Sequence, residues 1–126
     1  MTSQRFKFLS VCLLLLTSSV AFGVSKIVDG GTGADILAGG PGADTFVIRA
    51  GDGGLSIGDA DIIYDFTDGT DIIGMSGLNF SDLKREQGTG SYISHVVVKK
   101  LSTGEFLTII QNINLSDIDD NDFEAI

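Results

Sequence analysis

Glycine and aspartate recur nine residues apart near the start of the acidic part of the chain. Residues 30–38 read Gly-Gly-Thr-Gly-Ala-Asp-Ile-Leu-Ala, and residues 39–47 read Gly-Gly-Pro-Gly-Ala-Asp-Thr-Phe-Val. Asp35 and Asp44 each offer a carboxylate oxygen, the hard ligand that Ca²⁺ prefers. The glycines permit backbone conformations that are closed to other residues, and so let carbonyl oxygens turn toward a cation. The pattern predicts calcium-binding turns alternating with short strands.

An apolar residue keeps the same register, since Leu37 and Phe46 occupy equivalent places in the two copies. A flexible Gly/Ser linker would lack both the fixed aspartate and this apolar repeat. A phosphate-binding loop would need Gly-Lys-Ser/Thr, which the chain does not contain. The aspartate-x-apolar pattern returns at Asp61-Ile62-Ile63 and Asp71-Ile72-Ile73. We therefore expect the eighth residue of each repeat to point into a core.

The spacing of the later acids predicts which residues share a site. Two nonapeptides would make one full turn of about 18 residues. Asp52 follows Asp35, and Asp61 follows Asp44, at nearly that distance. The sequence thus predicts one calcium site between the Asp35 loop and Asp52, and another between the Asp44 loop and Asp59 with Asp61. The alternative is that Asp52, Asp59 and Asp61 are solvated loop acids.

The first 23 residues are typical of an export signal. Arg5 and Lys7 precede an apolar run from Phe8 to Leu16, and small residues end the segment at Ala21 and Gly23. The run is short for a membrane span, which needs about 20 residues. We expect a cleaved signal peptide at 1–23, no stable membrane insertion afterwards, and a secreted or periplasmic protein. Millimolar calcium outside the cytosol would fill even weak sites.

The C-terminal half is rich in β-branched residues. Residues 92–101 and 105–113 read as two strands joined by Ser102-Thr103-Gly104, which predicts a hairpin. Such a hairpin could cover the open end of a stack of turns, where unpaired edges are otherwise exposed. The expected organisation is a roll over 24–76 followed by a β cap over 77–126.

Charge and motifs narrow the function. From residue 24 the chain has 17 acidic and six basic residues, a net charge of −11, which argues against nucleic acid and anionic lipid as partners. Cys12 is the only cysteine, so the chain after the signal has no disulfide. His95 is the only histidine, and the motifs of zinc proteases and serine hydrolases are absent. We expect no enzymatic activity.

The chain resembles the RTX (repeats-in-toxin) or haemolysin-type calcium-binding family. The two perfect copies of G-G-x-G-x-D-x-U-x carry the resemblance. The later segments are similar to the end of the β-roll and the C-terminal cap in serralysin-like proteases and RTX adhesins: residues 42–47, 61–66, 69–73, 78–83, 115–118 and 122–123.

The resemblance implies an all-β fold, a short parallel β-roll folded by calcium and followed by a C-terminal β-hairpin cap. It also implies that ions lie between turns, bound by the aspartate carboxylates and by loop carbonyls. On this chain those ligands would be Gly31, Gly33, Asp35, Gly40, Gly42 and Asp44. The function expected is a secreted structural or interaction module with a cell-surface or matrix partner. The alternative is the detached C-terminal domain of a larger RTX protease, lipase or toxin.

Overall fold

The computed structural model describes residues 24–126, and the predicted signal peptide lies outside this range. The described part consists of nine short strands and five 3-10 turns, with no α-helix, which confirms the prediction of an all-β fold. None of its helical segments is long and apolar enough to cross a bilayer. The strands are β1 Ile27–Asp29, β2 Ile36–Leu37, β3 Thr45–Arg49, β4 Asp61–Ile63, β5 Ile72–Ser76, β6 Leu83–Gln87, β7 Val96–Lys100, β8 Phe106–Ile110 and β9 Phe123–Ala125.

The first five strands alternate between two sheets. One sheet has the order β1-β3-β5-β9 and is parallel throughout. The other has the order β2-β4-β8-β7-β6, in which β2, β4 and β8 are parallel. Each aspartate-x-apolar segment therefore passes from a loop into a strand, and the next such segment enters the opposite sheet.

The two β-branched runs of the C-terminal half form β7 and β8, which pair antiparallel, and β6 pairs antiparallel with β7. The second sheet is therefore mixed. The β8 strand also continues the parallel stack beyond β4, and β9 does the same beyond β5. The C-terminal half thus extends both sheets of the repeat region.

A single main core lies between the two sheets. The eighth residues of the repeats are buried in it, with Leu37 at 2% and Phe46 at 0% exposure. Alternate residues of a strand face opposite sides, so neighbouring positions such as Ile36 lie outside, at 66% exposure. The other fully enclosed apolar members include Ile63, Ile73, Val96, Val98 and Ile110. This core holds the loops that precede β2, β3, β4 and β5.

Candidate metal centre

The repeat aspartates stand immediately before strands, where successive turns of the chain stack. Next to the first sheet, the backbone N–H of Lys26 donates to Asp44 Oδ1 at 3.0 Å. One turn further, the backbone N–H of Asp44 donates to Asp71 Oδ1 at 2.9 Å. Residues 26, 44 and 71 therefore occupy equivalent places in three successive turns. We call Asp44 and Asp71 the second carboxylate pair.

An equivalent arrangement lies next to the second sheet. The backbone N–H of Asp35 donates to Asp61 Oδ1 at 2.9 Å, and we call these residues the first carboxylate pair. A methyl group added to Gly30 would stand 2.7 Å from Asp61 Oδ2 and 3.2 Å from Asp35 Oδ2. The two carboxylates therefore converge on a space that only a glycine leaves open.

The repeat glycines form the two loops ahead of β2 and β3, at residues 30–35 and 39–44. Gly31, Gly33, Gly40 and Gly42 all have φ between 68° and 104°, a left-handed conformation that favours glycine strongly. The loop conformations therefore explain the residue type at all four predicted positions. Gly39 is required for another reason, because an added methyl group would lie 2.3 Å from Asp44 Oδ2.

The Asp44 carboxylate is almost completely buried, yet one of its oxygens has no hydrogen-bond partner among the described residues. It is 1% exposed, and its Oδ2 has no hydrogen-bond partner within the part of the chain that the structure describes. Burial raises the pKa of this carboxyl, the nearby Lys26 ammonium opposes the rise, and the Asp71 charge adds to it. An enclosed carboxylate oxygen without a partner is costly. A bound cation would satisfy it.

A third loop, residues 65–71, lies against the second glycine loop. Asp65 accepts the backbone N–H groups of Gly39 and Gly40 at 2.9 and 2.8 Å. Asp71 accepts those of Asp44 and Thr67 at 2.9 and 2.8 Å. Burial raises the pKa of Asp71 as well. Sequence reasoning did not assign either acid to the site, although the aspartate-x-apolar pattern at Asp71 was a usable signal.

The expected pairing of acids differs from the one observed. Asp35 meets Asp61 at a separation of 26 residues, and Asp44 meets Asp71 at 27, whereas a regular turn of 18 separates Lys26 from Asp44. Both later turns are longer than two nonapeptides because they share the connection between β3 and β4, which has 11 residues (50–60) where residues 38–44 join β2 to β3 with seven. The connection between β4 and β5, residues 64–71, is only one residue longer than the regular one. Asp61 is therefore brought to the Asp35 loop, and the predicted pairing with the Asp44 loop is corrected.

Asp52 and Asp59 have partners of their own in the loop between β3 and β4. Asp52 Oδ2 forms an ion pair with Arg49 at 3.0 Å, and Arg49 also pairs with Asp29 at 2.8 Å. Asp59 accepts the backbone N–H of Ser56 and caps the 3-10 turn Ile57–Asp59. Both side chains already serve the loop between β3 and β4. The contacts described for them therefore do not support a role in either predicted calcium site.

That loop is fixed to the hairpin by one carboxylate. Glu105 Oε2 accepts the backbone N–H groups of Gly51 and Gly53 at 2.8 and 2.9 Å, although Glu105 lies more than 50 positions after both glycines in the sequence. Glu105 is only 9% exposed. Together with the antiparallel bridge between Gly54 and Phe106, the contact fixes this loop to the beginning of β8.

The donor set limits what kind of metal site is available. Within residues 24–126 no three histidine, cysteine or acidic side chains converge into an all-side-chain metal site. Any ion at a carboxylate pair would therefore need backbone carbonyl oxygens as well, which suits a hard cation such as Ca²⁺. His95 Nδ1 accepts the backbone N–H of Asn112 at 3.0 Å, a structural contact.

The comparison with protein families agrees with the repeats and the loop geometry. The family model for the serralysin C terminal of peptidase M10 matches residues 6–123, nearly the whole chain. The search of curated proteins gives no match. The match begins within residues 1–23, which lie outside the described part. The expected RTX resemblance is confirmed, and the chain belongs to the peptidase M10 serralysin C-terminal family.

Proposed function

We propose that the chain is a secreted calcium-binding module whose two carboxylate pairs each bind calcium together with carbonyls of the adjoining glycine loop. The observation that carries this proposal is the buried Asp44 Oδ2 without a hydrogen-bond partner. It lies in a loop that also faces Asp71. Two acids and glycine-loop carbonyls are oxygen donors of the kind that calcium binds.

The first pair supports the proposal independently. Asp35 and Asp61 converge beside Gly30, where the missing side chain leaves room for an ion. Asp61 is 6% exposed, so its charge is poorly solvated. A divalent ion would neutralise both carboxylates and join the first glycine loop to the turn that contains Asp61. Asp52 and Asp59 have no part in this assignment.

Calcium binding would then be coupled to folding. Without calcium, repulsion between carboxylates and the conformational entropy of the glycine loops oppose ordering of residues 24–76. With calcium, those residues form the parallel β-roll, and residues 77–126 form the hairpin cap that completes both sheets. The signal peptide at 1–23 would deliver the protein to a calcium-rich compartment, where the module has a structural or interaction role and no catalytic one.

The test compares two aspartate-to-alanine variants in a calcium titration followed by circular dichroism. Asp44→Ala removes a buried acid of the second pair, whereas Asp82→Ala removes a half-exposed acid that accepts the backbone N–H of Asn79. We expect Asp44→Ala to shift the calcium midpoint upward much more than Asp82→Ala. Equal titrations for the two variants would refute the assignment of Asp44 as a ligand.

A second candidate function follows from the family. Its members are the C-terminal part of serralysin-type peptidases, so the chain could be the detached C-terminal domain of a larger RTX protease, lipase or toxin. In that case the module would stabilise or export a catalytic partner encoded next to it. A neighbouring reading frame with a catalytic domain, and co-purification of the two products, would support this candidate. A solitary gene would contradict it.

A further inference from the structure

Lys26 has an enclosed ammonium group bound entirely by oxygen atoms. Its Nζ donates to the carbonyl oxygens of Val24 at 2.9 Å and Pro41 at 3.3 Å, and it lies 3.5 Å from Asp44 Oδ1. The side chain is 6% exposed. A buried lysine is costly unless its charge is paired and its protons are donated. Here three oxygens fulfil that requirement.

Lys26 lies at the place in its turn that Asp44 and Asp71 occupy in the next two turns. Residue 26 stands one turn before Asp44, as Asp44 stands one turn before Asp71, and the backbone hydrogen bonds repeat in the same sense. Lys26 therefore occupies the place of a repeat aspartate in the first described turn. The oxygens around its ammonium are two backbone carbonyls and one carboxylate, the same donor types as those of the proposed calcium sites.

We propose that Lys26 is a tethered cation that replaces a calcium ion between the first described turn and the second glycine loop. The inference rests on the proposed function, in that the carboxylate pairs bind calcium and this position does not. The ammonium neutralises Asp44 from one side and leaves Asp44 Oδ2 for an ion shared with Asp71. Because the lysine is covalently attached, the first turn is held at any calcium concentration at which the second loop is ordered.

Lys26→Glu separates a tethered cation from an ordinary core lysine, and Lys26→Met measures how much the charge contributes to stability. Lys26→Glu replaces the ammonium with a carboxylate beside Asp44 and the carbonyls of Val24 and Pro41. The space around residue 26 then has the oxygen ligands of a site for a divalent ion. Lys26→Met keeps the apolar stem and removes the charge, which leaves the Asp44 carboxylate without its counter-ion. The matched controls are Lys84→Glu and Lys84→Met, because the Lys84 side chain is 53% exposed and its ion pair with Glu86 lies at the surface.

The experiment counts bound calcium by native mass spectrometry and measures thermal unfolding in millimolar calcium, with full-length protein throughout. We expect Lys26→Glu to bind one calcium ion more than the wild type, and Lys84→Glu to bind the same number as the wild type. We expect Lys26→Met to lower the melting temperature by at least about 5 °C, the shift typical of losing one substantial interaction in a domain of this size. Lys84→Met should have little effect.

Two results would overturn the inference. One is an unchanged calcium count in a folded Lys26→Glu variant, and another is a melting temperature of Lys26→Met equal to that of the wild type. If Lys26→Glu does not fold, the calcium count is made on Lys26→Asp, which restores the residue type of the equivalent positions 44 and 71. A wild type that binds no calcium would refute the proposed function, whereas a gained ion in Lys26→Glu would still support the role of Lys26.

Discussion

Asp71 provides the sharpest test of how the second carboxylate pair works. Its two oxygens accept backbone N–H groups from two different loops, those of Asp44 and Thr67, and the residue is 2% exposed. In Asp71→Asn only one oxygen remains, so one N–H faces an amide NH₂ group and loses its acceptor. A hydrogen bond to a charged acceptor contributes about 1.5–3 kcal/mol.

The same substitution removes a negative charge from the proposed calcium site. Because folding in this account is coupled to the binding of two calcium ions, a loss of about 2 kcal/mol corresponds to a roughly 5-fold higher calcium midpoint. The assay is a calcium titration followed by far-ultraviolet circular dichroism, with Asp82→Asn as the matched control. Asp82 accepts one N–H, that of Asn79, and is half-exposed, so its shift should stay below about 2-fold. Equal shifts in the two variants, or none in Asp71→Asn, would refute the reasoning.

Three further predictions concern stability, each measured in millimolar calcium. Glu105→Ala removes the acceptor of the Gly51 and Gly53 amides and should lower the free energy of unfolding in urea by about 2 kcal/mol. A loss below about 0.5 kcal/mol, the size of an ordinary surface effect, would contradict the role of Glu105 in fixing the loop. Ile63→Ala, at a fully buried position, should lower the free energy of unfolding by about 2–5 kcal/mol. Ile36→Ala, at a position 66% exposed, should lower it by less than about 0.5 kcal/mol. Similar losses in the two variants would refute the assignment of Ile63 to the core and of Ile36 to the outer face of its strand. Burial raises the pKa of Asp122 and its neighbour Asp68 adds to the rise, so the folded state holds this proton more tightly than the unfolded chain and stability declines as pH rises through the raised pKa. Asp122→Asn should therefore melt at a higher temperature than the wild type at neutral pH, and its melting temperature should fall less between mildly acidic and neutral pH. Parallel profiles of melting temperature against pH for variant and wild type would show that Asp122 does not titrate as described.

The local parts of the fold could be predicted from the sequence because they depend on neighbouring residues. The nonapeptide register gave the two glycine loops, whose glycines have the left-handed φ values that such turns need. It also gave the buried residues Leu37 and Phe46. Each of these features is decided within a few positions by backbone freedom and by the alternation of a strand.

The pairing of the acids could not be predicted because it depends on distant contacts. The expected turn of about 18 residues holds between Lys26 and Asp44, but the next turns need 26 and 27 residues. Most of the additional residues form the loop between β3 and β4, which is bound by Glu105, a residue far away in sequence. No local pattern marks Glu105 for that role. Asp52 and Asp59 were assigned to calcium sites from their spacing alone, and spacing cannot show that a longer loop lies between two strands.

The hairpin shows a similar division. The β-branched runs predicted two strands, which are β7 and β8. Their sequence contains no signal that β8 would also pair parallel with β4 or that β9 would join β5. These pairings follow from burial of the shared core and bring the end of the chain into both sheets.

The central claim is that calcium orders this chain by binding at the two carboxylate pairs. The most direct measurement is far-ultraviolet circular dichroism of the purified protein, titrated first with calcium and then, in a separate sample, with magnesium. We expect a change from coil to β structure with calcium and little change with magnesium, since the smaller ion demands stricter octahedral geometry and gives up its water reluctantly. A β spectrum that neither ion alters would contradict the account, because it would mean that the apolar core and the hairpin suffice to fold the protein.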